Sequence, residues 1–167
     1  MAESRSAIYT AEAHVTGGRA EGHGRTSDGA LEVDLRLPGE MGGDGGGPNP
    51  EQLFAVGYAA CFESALGAVA RRRRQDAGEV AIDSQVMLLP TADRSFKLAV
   101  TLAVTLPSVA DADEAVDLVR AADQVCPYSN AVRGNVDVTL TANGRPVEQT
   151  SRRQAASARA ESGSAAG

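Results

Sequence analysis

One long apolar segment constrains the fold of this chain more than any other feature. The stretch Asn49-Pro50-Glu51-Gln52 combines an asparagine N-cap, a proline at the first helical position, an acidic first turn and a glutamine three residues after the cap. These signals are typical of a helix start. The residues that follow are apolar nearly all the way round through Ser64. They predict a helix over about residues 51–74 that is buried on most sides, and therefore a central helix.

Shorter patterns predict the other elements of an α+β fold with antiparallel sheets. Alternating residues and turn signals predict six strands and a second, amphipathic helix: strands at 8–15, 19–27, 30–36, 79–90, 94–106 and 135–142, and the helix at 111–124. The turn Asp28-Gly29 predicts a hairpin, so the first three strands form a small antiparallel meander. A glycine-rich connector follows at 37–49, too flexible to pack alone.

The length suits one domain. With 167 residues the chain can bury a core without disulfide staples, and we expect a single domain over residues 1–147. Residues 148–167 are polar without apolar periodicity, which predicts a disordered tail.

Charge and hydropathy exclude some classes of function. The net charge of −6 argues against nucleic acid as a partner. The basic run from Arg71 to Arg74 falls where a helix should end and cations offset its dipole, although the same run also suits a patch that binds nucleic acid or another anionic partner. The charged N-terminus does not suit a signal peptide, and no run approaches the roughly 18 apolar residues of a membrane span. We therefore expect a cytoplasmic protein that does not enter a membrane.

Two cysteines lie in contrasting settings. Cys61 falls within the apolar helix, whereas Cys126 falls in the Pro/Asn/Gly-rich segment 125–134, which predicts a loop. In the reducing cytoplasm a lasting structural disulfide is not expected, so such a pair is more often catalytic, redox-sensing or simply free. A second thiol near the first allows an oxidised sulfur to be rescued, which suggests redox chemistry.

A reactive Cys61 would need a nearby cation. Only the thiolate is nucleophilic, and Cys61 lies about 15 Å along the axis from the helix start, beyond the reach of the dipole. Arg19, just after the turn Gly17-Gly18, is the best candidate, because a guanidinium stabilises an anion and binds oxygen atoms. Taken alone, Arg19 is also consistent with a solvated turn residue. Glu51 is also consistent with a first-turn carboxylate that stabilises its helix by interacting with the helix dipole.

Three segments together resemble a known family. Residues 49–62, 124–135 and 17–29 are similar to the signature segments of the organic hydroperoxide resistance (Ohr) proteins in the Ohr/OsmC superfamily. The Cys-Pro-Tyr-Ser-Asn segment at 126–130 resembles the Ohr branch rather than the OsmC branch. The similarity extends over nearly the whole chain up to about residue 147.

The resemblance implies a thiol peroxidase. In it Cys61 corresponds to the peroxidatic cysteine and Cys126 to the resolving cysteine, which would form a disulfide with oxidised Cys61 in each catalytic cycle. Arg19 and Glu51 correspond to the pair that holds the thiolate and orients the peroxide. The resemblance further implies an intertwined homodimer of the OsmC-like fold, no bound cofactor, and reduction by dihydrolipoyl groups on a lipoylated protein.

Geometry favours a site shared between subunits. Glu51 and Cys61 are ten positions apart on one helix, hence on different faces and about 15 Å apart along the axis. One guanidinium cannot bond both, so we expect Arg19 and Glu51 of one subunit to reach Cys61 of the other.

The apolar neighbours of Cys61 favour an organic hydroperoxide with a hydrocarbon tail, although the same side chains also suit a plain core. The neighbours are Phe54, Tyr58 and Phe62, with Met41 and Met87 as further candidates.

Other functions remain open. The same two cysteines suit a redox sensor or binding protein switched by a disulfide, without catalysis. The sequence pattern gives little support for a metal site, because His14, His23 and the cysteines lack the close spacing of zinc ligands. A hydrolase using Ser64 or Ser129 has no convincing histidine partner.

Overall fold

The computed structural model describes residues 6–149 of the chain. By internal contacts it divides after Leu53 into two compact units. The expectation of one domain over residues 1–147 stays a prediction, and residues 150–167 of the predicted tail lie outside the described part.

The N-terminal unit contains a three-stranded antiparallel sheet in the order β1-β2-β3. Its elements are β1 (Ala13–Thr16), the one-turn helix α1 (Gly18–Glu21), β2 (His23–Thr26) and β3 (Glu32–Asp34). The predicted meander is therefore present, with shorter strands. The expectation of a strand from residue 19 is wrong at its start, because Gly17 and Gly18 take left-handed φ values of 71° and 65° and turn the chain into α1.

The glycine-rich connector is more ordered than its composition predicts. It contains a 3-10 turn at Gly39–Met41, and the amide of Gly45 donates to the carbonyl of Leu37 at 3.0 Å. A Cβ at Gly43 would lie 2.1 Å from the same carbonyl oxygen. Here glycine permits a close backbone approach rather than flexibility.

The long helix α2 (Pro50–Arg73) begins as predicted. The side chain of Asn49 accepts from the amide of Gln52 at 2.9 Å, and the side chain of Gln52 accepts from the amide of Asn49 at 3.0 Å. This reciprocal pair is a capping box, which satisfies two backbone donors at the helix start. The helix has 24 residues and carries Cys61.

The prediction that α2 is buried on most sides is wrong for the single chain. The buried residues follow a stripe through Tyr58, Phe62, Leu66 and Val69, whereas Val56 is 72% exposed. By length and composition α2 could cross a bilayer, contrary to our expectation: an 18-residue window has a mean hydropathy of 1.6 and is 33% buried. A core helix meets the same criterion, so this is weak evidence for a membrane.

The C-terminal unit contains a four-stranded sheet in the order β4-β5-β6-β7. Its elements are β4 (Ala81–Pro90), β5 (Phe96–Thr105), α3 (Ala112–Val125), α4 (Pro127–Val132), β6 (Asp137–Ala142) and β7 (Arg145–Val147). The expectation of purely antiparallel sheets is wrong here, because β5 and β6 pair in parallel. Helices α3 and α4 form the crossover that a parallel pair requires.

The core of this unit joins α2, α3 and the sheet in one cluster. The alternation predicted for β5 is confirmed, since Val100, Leu102 and Val104 are at most 1% exposed. Cys126 belongs to the same cluster and Cys61 packs against it. Cys126 therefore lies inside the core, and Cys61 lies at its edge.

Candidate active site

Arg19 and Glu51 form an ion pair in the N-terminal unit. Nη2 of Arg19 lies 2.8 Å from Oε1 of Glu51, and Nη1 lies 3.4 Å from Oε2. The Glu51 side chain is 15% exposed and that of Arg19 is 38% exposed. This two-point geometry fixes the plane of the guanidinium. The two residues implied by the resemblance are thus brought together.

A local constraint positions Arg19. A Cβ at Gly17 would lie 2.8 Å from the carbonyl oxygen of Glu21, so the left-handed turn before α1 excludes a side chain at this position. Glu51 is placed by the capped first turn of α2. The turn before α1 and the first turn of α2 thus place the two partners.

The two cysteine sulfurs are in contact in the C-terminal unit. Sγ of Cys126 lies 3.6 Å from Sγ of Cys61, and both thiols are free. A disulfide requires a sulfur separation of about 2.0 Å. The two sulfurs are therefore in van der Waals contact without being bonded.

The sequence predicted that Cys126 lies in a loop, and this prediction is wrong. It occupies the junction between α3 and α4, as the C-cap of one helix and the N-cap of the other. Its amide donates to the carbonyl of Ala122 at 2.9 Å, and its carbonyl accepts from the amide of Asn130 at 3.0 Å. Pro127 suits the first position of α4, where no amide proton is needed. The backbone of Cys126 is thus fixed on both sides.

The two thiols differ in access to solvent. Cys126 is fully buried, whereas Cys61 is partly exposed. A groove of about 420 Å³ opens beside Cys61. Besides Cys61, it is lined by small or aliphatic residues and by one basic residue: Ser64, Ala65, Ala68, Val125, Pro127 and Arg72. A small molecule can therefore approach Cys61 but not Cys126.

Burial raises the pKa of the Cys61 thiol above its ordinary value, a hydrogen bond from the Tyr128 backbone lowers it in part, and Cys126 raises it further. The groups that set this pKa all belong to the C-terminal unit. Together they disfavour the thiolate, so a reactive Cys61 needs a cation in addition.

A second contact joins the two cysteine-bearing segments. The hydroxyls of Tyr58 and Ser129 share a buried hydrogen bond of 2.9 Å. Tyr128 stacks on Phe54 with ring centroids 6.0 Å apart. The sequence did not single out Ser129 in this role, although Tyr58 and Ser129 each lie three positions from a cysteine.

The apolar residues expected around Cys61 have different roles. Tyr58 and Phe62 are fully buried in the core, and Phe54 packs against it. Met41 lies in the N-terminal unit with its sulfur 4.0 Å from Nη1 of Arg19, and Met87 on β4 is 41% exposed. The groove beside Cys61 is lined mainly by smaller side chains instead.

The two serines considered as hydrolase candidates both form hydrogen bonds within the fold. Ser64 donates to the carbonyl of Ala60 at 2.9 Å, and Ser129 is paired with Tyr58. Within residues 6–149, no group of three or more His, Cys, Asp or Glu side chains is arranged to hold a metal ion.

Comparison with known proteins identifies the family to which this fold belongs. The family model described as "OsmC-like protein" matches residues 43–141. An organic hydroperoxide resistance protein from Xanthomonas axonopodis pv. citri is 51% identical over 145 residues, which covers 84% of this chain and 99% of the relative. OhrB from Bacillus subtilis is 45% identical over 135 residues, covering 80% and 97%.

Solved structures agree with this assignment. An organic hydroperoxide resistance protein from Legionella pneumophila superposes with a TM-score of 0.78 at 50% identity, covering 81% of this chain and 98% of that one. The structure of B. subtilis OhrB gives a TM-score of 0.73 at 44% identity with the same coverage. The chain therefore belongs to the OsmC-like family, within its group of organic hydroperoxide resistance proteins.

Proposed function

We propose that this protein is a thiol-dependent peroxidase that reduces organic hydroperoxides to alcohols in defence against oxidative stress. The observation that carries the proposal is the 3.6 Å contact between a reachable thiol, Cys61, and a buried one, Cys126. The names of the relatives, organic hydroperoxide resistance proteins, support the substrate class.

The reaction begins at Cys61. Its thiolate attacks the distal oxygen of the hydroperoxide, the O–O bond breaks, and the alkoxide leaves and takes a proton to become an alcohol. Cys61 is left as a sulfenic acid. The Cys126 sulfur then attacks the Cys61 sulfur, hydroxide leaves and takes a proton to become water, and a disulfide forms. An external dithiol returns two electrons and two protons, and we expect dihydrolipoyl groups on a lipoylated protein to supply them.

Arg19 and Glu51 supply the charge that Cys61 lacks. The neighbours of Cys61 raise its pKa, so a guanidinium held by Glu51 would restore the thiolate and offset charge on the departing oxygen. We propose that this pair comes from the partner subunit of a homodimer. The exposed apolar side chain of Val56 on α2 is consistent with such a contact.

The groove beside Cys61 suits a substrate with a hydrocarbon tail. It is lined by alanines, a valine and a proline, and burying each methylene contributes about 0.8 kcal/mol. A thiol pair that must be reduced again in each cycle suits the reducing cytoplasm, where we place the protein. The proposed chemistry requires no bound cofactor, nucleic acid or membrane.

A peroxidase assay with defined variants tests the proposal. Wild type should reduce cumene hydroperoxide repeatedly with dihydrolipoamide, and Cys61→Ser should be inactive with every reductant. Cys126→Ser should form no intramolecular disulfide and should turn over only as far as an external thiol, such as a monothiol, resolves the Cys61 sulfenic acid directly. A single stoichiometric oxidation of wild type, without turnover, would instead favour a redox sensor.

Subunit mixing tests the shared site. An Arg19→Ala subunit retains Cys61, and a Cys61→Ser subunit retains Arg19, so each homodimer should have little activity. The mixed dimer should regain one active site if the guanidinium acts across the interface. An inactive mixed dimer would show that Arg19 serves its own subunit or none.

A further inference from the structure

A buried ion pair links the two helices on either side of Cys126, at the α3–α4 corner where α3 ends and α4 begins. Nη1 of Arg133 lies 2.7 Å from Oδ2 of Asp123, and Nη2 lies 2.7 Å from the backbone carbonyl oxygen of Asp123. The Asp123 side chain is 1% exposed and that of Arg133 is 13% exposed. One guanidinium therefore binds both a carboxylate and a backbone carbonyl of the last turn of α3.

The two partners lie on opposite sides of Cys126. Asp123 precedes it by three residues in α3, and Arg133 follows it by seven as the C-cap of α4. The pair ties the end of α4 back to the end of α3. The side-chain amide nitrogens (Nε2) of Gln124 and Gln149 each donate to the Asp123 carboxylate at 3.3 Å.

We propose that Arg133 and Asp123 are a positioning pair for disulfide formation. Neither touches a reacting sulfur. They hold the α3–α4 corner so that the Cys126 sulfur stays in contact with Cys61, which raises the effective concentration of one thiol at the other. The role in turnover depends on the proposed peroxidase function, whereas the effect on the thiol pair can be measured without any peroxide.

The distance between the sulfurs explains why the junction between α3 and α4 must hold Cys126 in place. The sulfurs lie 3.6 Å apart and must approach to about 2.0 Å to form the bond. A corner that is free to open would move Cys126 away and leave the Cys61 sulfenic acid exposed to a second peroxide, which converts it to a sulfinic acid. A firm corner instead keeps the required movement small.

Thiol–disulfide equilibrium in a glutathione buffer is the decisive measurement. One glutathione disulfide oxidises the two protein thiols to a disulfide and becomes two glutathione thiols, so the equilibrium constant is the effective concentration of the pair. We would compare wild type with Arg133→Lys, which keeps the charge but loses the planar fork, and Asp123→Asn, which keeps the shape but loses the charge. Arg120→Met is the matched control, because Arg120 pairs with Asp117 on the exposed side of α3.

The equilibrium constant should fall about tenfold or more in both variants and stay unchanged in Arg120→Met. Measurement below the melting transition of each protein keeps all of them folded, and Asp123→Asn tests the proposal alone if Arg133→Lys does not fold. A lower melting temperature with a wild-type equilibrium constant would overturn it, since the pair would then be only structural. A wild type that fails to reduce cumene hydroperoxide would disprove the peroxidase function and leave the equilibrium result intact.

Discussion

Tyr58 and Ser129 form a buried hydrogen bond of 2.9 Å that runs beside the contact of the two cysteines. Tyr58 precedes Cys61 by three residues, and Ser129 follows Cys126 by three. Removing one hydroxyl leaves the other buried without its partner, which costs about 1–3 kcal/mol.

We expect Tyr58→Phe to lower the free energy of unfolding in urea by this amount. The double variant Tyr58→Phe/Ser129→Ala should lose less than the sum of the single changes, and Tyr9→Phe, at an exposed tyrosine, should change little. Additive losses would contradict the coupling.

The stability of the protein should depend on Tyr58 at high pH. Burial raises the pKa of Tyr58 to about 12, from 10.0. The native state therefore holds the phenol proton more tightly than the unfolded state, and this stabilisation is present below pH 10 and lost as the pH rises through 12. Between about pH 9 and pH 11 the wild type should lose about 1 kcal/mol more than Tyr58→Phe. Parallel pH profiles of the two proteins in urea would contradict the shift.

Arg19 should control the ionisation of Cys61. In a Cys126→Ser background only Cys61 is left to react, so the rate of alkylation by iodoacetamide against pH reports its pKa. We expect Arg19→Ala to raise that pKa and slow alkylation near neutral pH, because burial alone disfavours the thiolate. Arg25→Ala, at an exposed arginine on β2, is the matched control. Equal profiles with and without Arg19 would refute its role.

Glu51 should act through the orientation of Arg19. Glu51→Gln keeps the shape of the side chain but removes the charge that holds the guanidinium at 2.8 Å. We expect kcat/KM for cumene hydroperoxide to fall about tenfold, because a misplaced charge stabilises the transition state poorly. Glu40→Gln, at an exposed residue of the 3-10 turn, should leave kcat/KM unchanged. A wild-type value for Glu51→Gln would show that the ion pair is dispensable.

The capping box should contribute measurably to stability. Asn49→Ala removes the side-chain oxygen that accepts from the amide of Gln52 at 2.9 Å. The expected loss is about 1 kcal/mol in the free energy of unfolding. Asn49→Asp retains an acceptor at the same position and should restore most of it. If both variants unfold at the same urea concentration as wild type, the cap is not needed.

Local signals explain which elements were predicted. The start of α2 depends on side-chain bonds within the four residues from Asn49 to Gln52, so the sequence contains all the information. The hairpin at Asp28-Gly29 is equally local, and β2 and β3 do pair antiparallel. Such features form from neighbours and need no knowledge of the rest of the fold.

Features that depend on the folded chain, and one short helix with turn-like residues, explain what was missed. Helix α4 has only six residues and contains Pro127 and Asn130, which are common in turns, so its composition favoured a loop. The parallel pairing of β5 with β6 depends on a crossover that strand patterns do not specify. Similarly, the pairing of Asp123 with Arg133 becomes visible only once the chain folds back between them.

The complete burial of Cys126 determines the direction in which a disulfide at this site can be opened. When the two sulfurs are bonded, an incoming thiolate can reach only the side that faces the groove, which is the sulfur of Cys61. Under the proposed function, we therefore expect the mixed disulfide with the reductant to form on Cys61, with Cys126 departing as the leaving thiolate. Packing would then set the regiochemistry of reduction.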